Sequence, residues 1–324
     1  MIETNLLLNS YLIMAGSKTS GITYIQLFAG MALFGSATPL SGLVTKSFPV
    51  FIAGGSRVLL AFLVIWPFID LKNISNYKGR DRWLLFGIAL FGTLGFTAFM
   101  LYGMKLVSGV TGSVVMSTTP AVTAIASVVF FKDTITWKKL LALSLAIGGV
   151  VLLQIFRTDQ NNADVQHPWL GMLLIFAAVC CEVSYTLMGK ALTKNYPPEE
   201  VAGLSAMIAF ILFIPLGIWQ FPKFETGELK LENWLSLGAY GLITMGLGSV
   251  LWYKGISKVE GSVAASFMGV MPVSALALSY MLLHERFQWI HLAGFSLVFC
   301  GVLLMISVHK AMARQMEKGE GKHG

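Results

Sequence analysis

Apolar segments of membrane-spanning length recur along almost the whole chain, and no soluble fold could bury them all. A helix needs roughly 20 predominantly apolar residues to cross the hydrocarbon core of a bilayer. Such stretches are predicted at residues 22–44, 49–69, 83–104, 107–131, 137–156, 168–189, 200–220, 233–253, 260–283 and 288–308. Only 12% of residues are charged, against roughly 25% in soluble domains. The expected fold class is an all-α integral membrane protein with ten transmembrane helices.

The basic residues orient this bundle. With the amino terminus inside, one face collects Lys18, Lys72, Lys78, Arg80, Arg82, Lys132, Lys138, Lys139, Lys190, Lys194, Lys254, Lys258, Lys310, Arg314, Lys318 and Lys322. The other receives only Lys46, Lys105, Arg157, Lys223, Lys230 and Arg286, and Arg57 lies within the second span. Cytoplasmic loops carry the excess of Lys and Arg, so both termini are expected in the cytoplasm and the chain in a bacterial-type inner (plasma) membrane. The net charge of +7 is accounted for by these short loop clusters rather than by a nucleic-acid surface. Cys180, Cys181 and Cys300 all fall within apolar runs and read as packing residues rather than a disulfide framework.

Residues 1–21 are expected to form a loose or interfacial leader. Their apolar run, Leu6 to Ala15, is too short to span, and Glu3 stands where a signal peptide would carry positive charge. Met14 and Met31 remain alternative starts.

A second signal is internal duplication. The stretch Leu106 to Leu153 aligns without a gap on Lys258 to Met305: Gly109 matches Gly261, Met116 matches Met268, Pro120 matches Pro272, Asp133 matches Glu285, Trp137 matches Trp289 and Gly149 matches Gly301. Every pair has the same offset. Two units are expected, residues 22–157 and 158–309, followed by a basic tail at 310–324. Five spans per unit is an odd number, so the second unit should enter the membrane in the opposite sense, as in transporters whose central site opens to either face in turn.

These landmarks also carry a family resemblance. Small residues leading through Pro120 to Asp133, and the copy leading through Pro272 to His284-Glu285-Arg286, resemble the paired EamA-type domains of the drug/metabolite transporter superfamily. The Arg57-containing run GGSRVLLAFLV is similar to the family's second span, and Gly148, Gly149, Gly294 and Gly301 to its glycine-bearing fifth span. The first copy departs from the pattern at Lys132-Asp133-Thr134, where the family often has an acid followed by arginine. The resemblance covers about residues 24–308. It implies a ten-helix bundle with a pathway lined by the first, third, fourth, sixth, eighth and ninth spans. Members move amino acids, other small metabolites, drugs or nucleotide-linked sugars.

Within the sixth predicted span stands Glu182, an acid in a run long enough to cross the bilayer. A charge at mid-membrane costs about 2.5–3.5 kcal/mol on insertion scales, and such residues face a bundle interior or a water-filled cavity. Withdrawal from water favours the neutral form of an acid, so a proton could be exchanged there for a cation or an amine. Tyr185, Thr186 and Gly189 follow at i+3, i+4 and i+7 and share its face. The segment CEVSYTLMGK is also similar to the first span of small multidrug resistance exporters, where the corresponding glutamate binds protons and cationic substrate in competition. The structural alternative is a buried contact with Arg57 or with backbone groups.

Arg57 itself is expected to tether helices, with an anionic substrate group as the alternative. Pro120 and Pro272 are expected to kink their spans, as packing features or as gates. Met116 and Met268, near the small residues Ser113, Ser117, Ala264 and Ala265, could line a soft binding surface or simply pack. Trp252, Tyr253 and Tyr102 suit either an aromatic cap on a cationic substrate or the interfacial belt. Asp133 and Glu285 are expected to cap helices or pair with nearby bases. Glycines at 87, 92, 95, 238, 241, 246 and 248 should let helices approach closely.

No phosphate-binding glycine loop, HExxH pair or carboxylate dyad is present, so no enzyme, cofactor or metal site is expected. The expected function is secondary transport that exports small organic metabolites, amino-acid-like or amphipathic and cationic, by alternating access with proton coupling at Glu182. An importer or uniporter on the same fold, or a non-transporting partner subunit sealed by a Glu182–Arg57 pair, are the alternatives. Monomer and homodimer remain equally open.

Overall fold

The computed structural model describes residues 21–44, 47–70, 77–104, 106, 115–116, 118–155, 168–224, 229–282 and 289–320. All regular elements among them are helices. In lipid every backbone N–H and C=O must be satisfied within the segment, and a helix does so without a partner.

In the first repeat α1 (Gly21–Gly35) and α2 (Ala37–Val44) are separated at Ser36, whose Oγ donates to Leu33 O at 2.6 Å. Pro39 falls in the first turn of α2, the helical position that tolerates a missing N–H. α3 (Val50–Ile65) follows Pro49 and ends in a 3-10 turn, Trp66–Phe68. α4 (Gly79–Gly87) runs through a π segment, Ile88–Gly95, into α5 (Phe96–Met104). α6 (Thr119–Phe131) ends at Lys132, which adopts the left-handed conformation (φ 57°), and α7 is Trp137–Ile155.

The second repeat begins with α8 (Pro168–Leu192) and α9 (Pro198–Gln220). α10 (Leu231–Ala239) then passes through a π segment, Tyr240–Leu247, into α11 (Gly248–Ile256). α12 (Gly261–Phe267) and α13 (Val270–Leu282) are broken at Met268 and Gly269, and α14 (Ile290–Glu320) closes the chain. The duplication extends to backbone detail. Both boundaries of the π segment, and of the helices on either side of it, recur at the offset that relates Pro120 to Pro272.

Six helical stretches among the described residues are long and apolar enough to cross a membrane: Val50–Phe68, Gly79–Gly103, Trp169–Leu192, Pro198–Gln220, Leu231–Ile256 and Ile290–Met312. Thr119–Phe131 and Gly261–Ala275 are apolar but shorter. Trp83, Trp137, Trp169, Trp219, Trp234 and Trp289 are exposed near helix ends, as an aromatic belt at the membrane interface requires.

Helices of the two repeats pack on each other at glycines. A Cβ at Gly149 would lie 2.6 Å from Gly294 O, and one at Gly301 would lie 2.6 Å from Ala142 O. Moving forward along α7 from Ala142 to Gly149 moves backward along α14 from Gly301 to Gly294, the order of an antiparallel pair. Gly103 sits against Ile175 of α8, and Gly255 sits against Leu27 of α1 in the same way. α3 packs on α9 where Gly54 and Gly55 meet the ring of Phe213. Small residues thus set the interhelical distances, as in lipid, where no hydrophobic force drives helices together.

Candidate functional site

Glu182 is carried on α8 and retains partial exposure among buried neighbours. Its Oε2 lies 3.3 Å from the hydroxyl of Thr119, the first residue of α6. That hydroxyl has one proton and a nearer acceptor, Met116 O at 2.7 Å. Among the described residues no base lies within ion-pair distance of Glu182. The pairing with Arg57 does not occur: Arg57 Nη1 donates to Tyr240 Oη at 2.7 Å, the guanidinium lies 4.7 Å from that ring's centroid, and its Nε has no partner among the described residues. Arg57 therefore joins α3 to the π segment of the second repeat.

One turn along α8, Tyr185 stacks on Tyr253 of α11 with centroids 5.0 Å apart and donates to Ser249 Oγ at 3.0 Å. The Tyr253 hydroxyl donates to Tyr185 O at 3.4 Å. Gly189 makes room for this: a Cβ there would lie 2.6 Å from Tyr253 Cζ. Gly103 packs on Ile175 as its mate Gly255 packs on Leu27, a correspondence of α8 with α1 that sets Phe34 against Glu182; Phe34 meets Tyr185 edge-on at 6.5 Å. Ser36 and Thr244 hydrogen-bond at 2.7 Å between α1 and the second π segment. Glu182, Tyr185, Phe34 and Tyr253 thus bring α1, α8 and α11 together beside α6.

The other predicted residues distribute around this centre. Thr186 is buried on α8. Met116 packs with Val179 and Val183, on the Glu182 segment of α8. Met268 accepts from the Thr123 hydroxyl at 3.3 Å through its sulfur, which places it against α6. Trp252 is fully buried rather than in the interfacial belt, with its backbone against Gly30 and its Nε1 without a partner among the described residues. Tyr102, by contrast, is exposed. Pro120 lies in the first turn of α6, and Pro272 in the first turn of α13 just beyond the Met268–Gly269 break. With no N–H at Pro272, the carbonyl of Met268 is taken by Met271 N–H at 3.2 Å. Ser113, Ser117, His284, Glu285 and Arg286 lie outside the described residues.

A polar network that hydropathy did not single out lies where the ends of α6, α7, α8 and α12 meet. Asp133 Oδ2 accepts from Gly261 N–H at 2.7 Å, Ser262 N–H at 3.3 Å and Ser127 Oγ at 2.8 Å, and lies 3.8 Å from Lys190 Nζ. Asp133 therefore does cap a helix, but one in the opposite repeat. Lys139 Nζ donates to Thr134 O at 2.9 Å and pairs closely with Glu260. Lys190 and Lys194 both lie over the ring of Phe131. Burial pushes Lys194 below the usual lysine range, a lowering that Asp133 offsets only in part. A cue was present in the sequence: Asp133 and Glu260 are acids at span ends on the face that collects the lysines.

An all-helical, multi-pass membrane protein with a polar centre between duplicated helices is the construction of a membrane transporter. Residues 21–155 and 169–307 each match the EamA-like transporter family. The chain belongs to that family. It is 29% identical to an uncharacterized transporter of Bacillus subtilis, YetK, over 87% of this chain and 86% of that one. It is 25% identical to an S-adenosylmethionine/S-adenosylhomocysteine transporter of Chlamydia trachomatis, over 79% of this chain and 80% of that one. A crystal structure at 15% identity superposes with a TM-score of 0.73 over 91% of this chain and 98% of the other, which shows a common fold.

Proposed function

We propose that the protein is a proton-coupled secondary transporter that exports small organic metabolites, amino-acid-like or amphipathic and cationic, from the cytoplasm by alternating access. Glu182 carries this reading: an acid within a spanning helix, partly exposed, whose hydroxyl partner already has a closer acceptor. With the Thr119 proton committed to Met116 O, a protonated Glu182 donates to Thr119 Oγ1. An ionised Glu182 instead holds a cationic or amine substrate against the Tyr185–Tyr253 face. Binding of one displaces the other, and that competition couples export to proton entry.

The reading includes ten spans in two inverted units, in an inner membrane with both termini cytoplasmic. The common offset of the π segments supports the two units, and the antiparallel order of the Gly149 and Gly301 contacts supports their inversion. The partner-subunit alternative needed Glu182 paired with Arg57, and Arg57 is bound to Tyr240 instead.

The test is a panel of amino acids, amines and cationic amphiphiles read by thermal stabilisation of the purified protein, since a ligand that binds the native state raises its melting temperature. S-adenosylmethionine and S-adenosylhomocysteine belong in the panel because of the Chlamydia relative's name. Compounds that stabilise are then followed in proteoliposomes, where counterflow with and without a pH gradient separates coupled export from import or uniport. A panel in which nothing stabilises or moves contradicts the proposal.

A further inference from the structure

Four charged side chains meet at one end of the bundle, and each ion pair has one partner in each repeat. Asp133, between α6 and α7, faces Lys190 of α8, and Lys139 of α7 faces Glu260 at the start of α12. Lys139, Lys190 and Asp133 are almost completely withdrawn from solvent, at 1%, 3% and 6% exposure. Their geometry is tightly supported. Asp133 also takes the first two N–H groups of α12, and Gly261 lies so close to the Ser127 hydroxyl that no Cβ fits there. Every residue of α12, from Gly261 to Phe267, is buried.

Behind this closure sits a polar group with no local use. Ser266 is fully buried, lies inward from Gly261 along α12, and its hydroxyl has no partner among the described residues. A buried hydroxyl without a partner is costly, a cost that water entering from that end would remove. The charges are costly to leave unpaired and strongly held when paired, so the network favours two discrete states rather than a graded opening.

We propose that the Asp133–Lys190 and Lys139–Glu260 pairs form a latch that holds the cytoplasmic end shut and must part for the central site to open to the cytoplasm. The latch rests on the alternating-access reading. It adds to Glu182 a second set of charges whose work is to separate rather than to bind substrate.

The test places a single thiol behind the latch, Ser266→Cys, in a background with Cys180, Cys181 and Cys300 replaced by alanine and melting close to that of the parent. A membrane-impermeant maleimide is applied to inside-out and right-side-out vesicles. With the latch intact, the introduced thiol should label slowly in inside-out vesicles. Asp133→Asn with Glu260→Gln should raise that rate about tenfold or more by shifting the population towards the open state. Exchange of the charges, Lys139→Glu with Glu260→Lys, restores the attraction but not the bond from Lys139 to Thr134 O, and should label more slowly than either substitution alone. Gly261→Ala, which wedges α12 away from Ser127 without changing charge, should also speed labelling and decides the matter if the Asp133→Asn, Glu260→Gln variant fails to fold with Lys139 and Lys190 left unpaired. Parental labelling rates in a folded Asp133→Asn, Glu260→Gln or Gly261→Ala variant overturn the latch, as does fast labelling with the latch intact or acceleration only in right-side-out vesicles. Labelling needs no substrate, so the two proposals fail separately. Unchanged labelling in a protein that transports removes the latch alone, and a working latch in a protein that moves nothing removes the transport reading alone.

Discussion

Gly149 and Gly301 stand at equivalent places in the two repeats, and each admits the backbone of the other's helix: Gly149 meets Gly294 and Val298, and Gly301 meets Ala142 and Ala146. Two-fold related contacts of this kind should fail alike. Gly149→Leu and Gly301→Leu are each expected to destabilise the protein by about 1–3 kcal/mol or more, the cost of overpacking. Gly148→Leu should be nearly silent, because nothing lies near its Cβ position. Melting of the three variants in detergent checks this, and a well-tolerated Gly149→Leu would remove the close approach of α7 and α14.

Arg57 and Tyr240 are expected to act as one unit. Tyr240→Phe deletes the hydrogen bond to a charged donor and should cost about 1.5–3 kcal/mol, while the face of the ring still lies near the guanidinium. Arg57→Met should cost at least as much, and the double variant less than the sum of the two. A double-mutant cycle on melting supplies the coupling. Substrate preference should be unchanged in every folded member, because the pair tethers α3 to the second π segment.

Gly189 keeps Tyr253 stacked on Tyr185. Gly189→Ala is expected to push the Tyr253 ring out of register, lowering stability by about 1–3 kcal/mol and slowing transport. Tyr253→Ser alone should be destabilising, because its ring is fully buried, but in that background Gly189→Ala should cost less than in the parent, without any recovery of the transport rate. Melting and uptake measured on the same preparations separate the two effects.

Much of this organisation was legible in the sequence because it rests on composition and repetition. Apolar run length disclosed the membrane bundle, and the matched Pro, Trp and Gly landmarks disclosed the duplication. The π segments were not legible, since a run such as Ile88–Gly95 is equally apolar whether its turns are α or π. Asp133 could be read as a cap, but its target, Gly261 N–H, is set by how two distant helices meet. Trp252 suits a belt or a buried position by side chain alone, and only the contact of its backbone with Gly30 places it inside. Glu182 was conspicuous from the outset because a carboxylate is rare in such a run. That its neighbour would be Thr119, and not Arg57, depended on the crossing of α6 and α8.

The same acid supplies the decisive experiment. Glu182→Gln keeps the size of the side chain and its hydrogen bonding to Thr119 but cannot exchange a proton. Transport of a compound identified by the stabilisation panel is measured in proteoliposomes across a range of pH, with and without an imposed pH gradient. For a proton-coupled carrier the parental rate follows both pH and the gradient, whereas the Gln variant loses gradient-driven transport and its pH dependence while remaining folded. An unchanged rate and an unchanged pH dependence in the Gln variant would contradict proton coupling at Glu182.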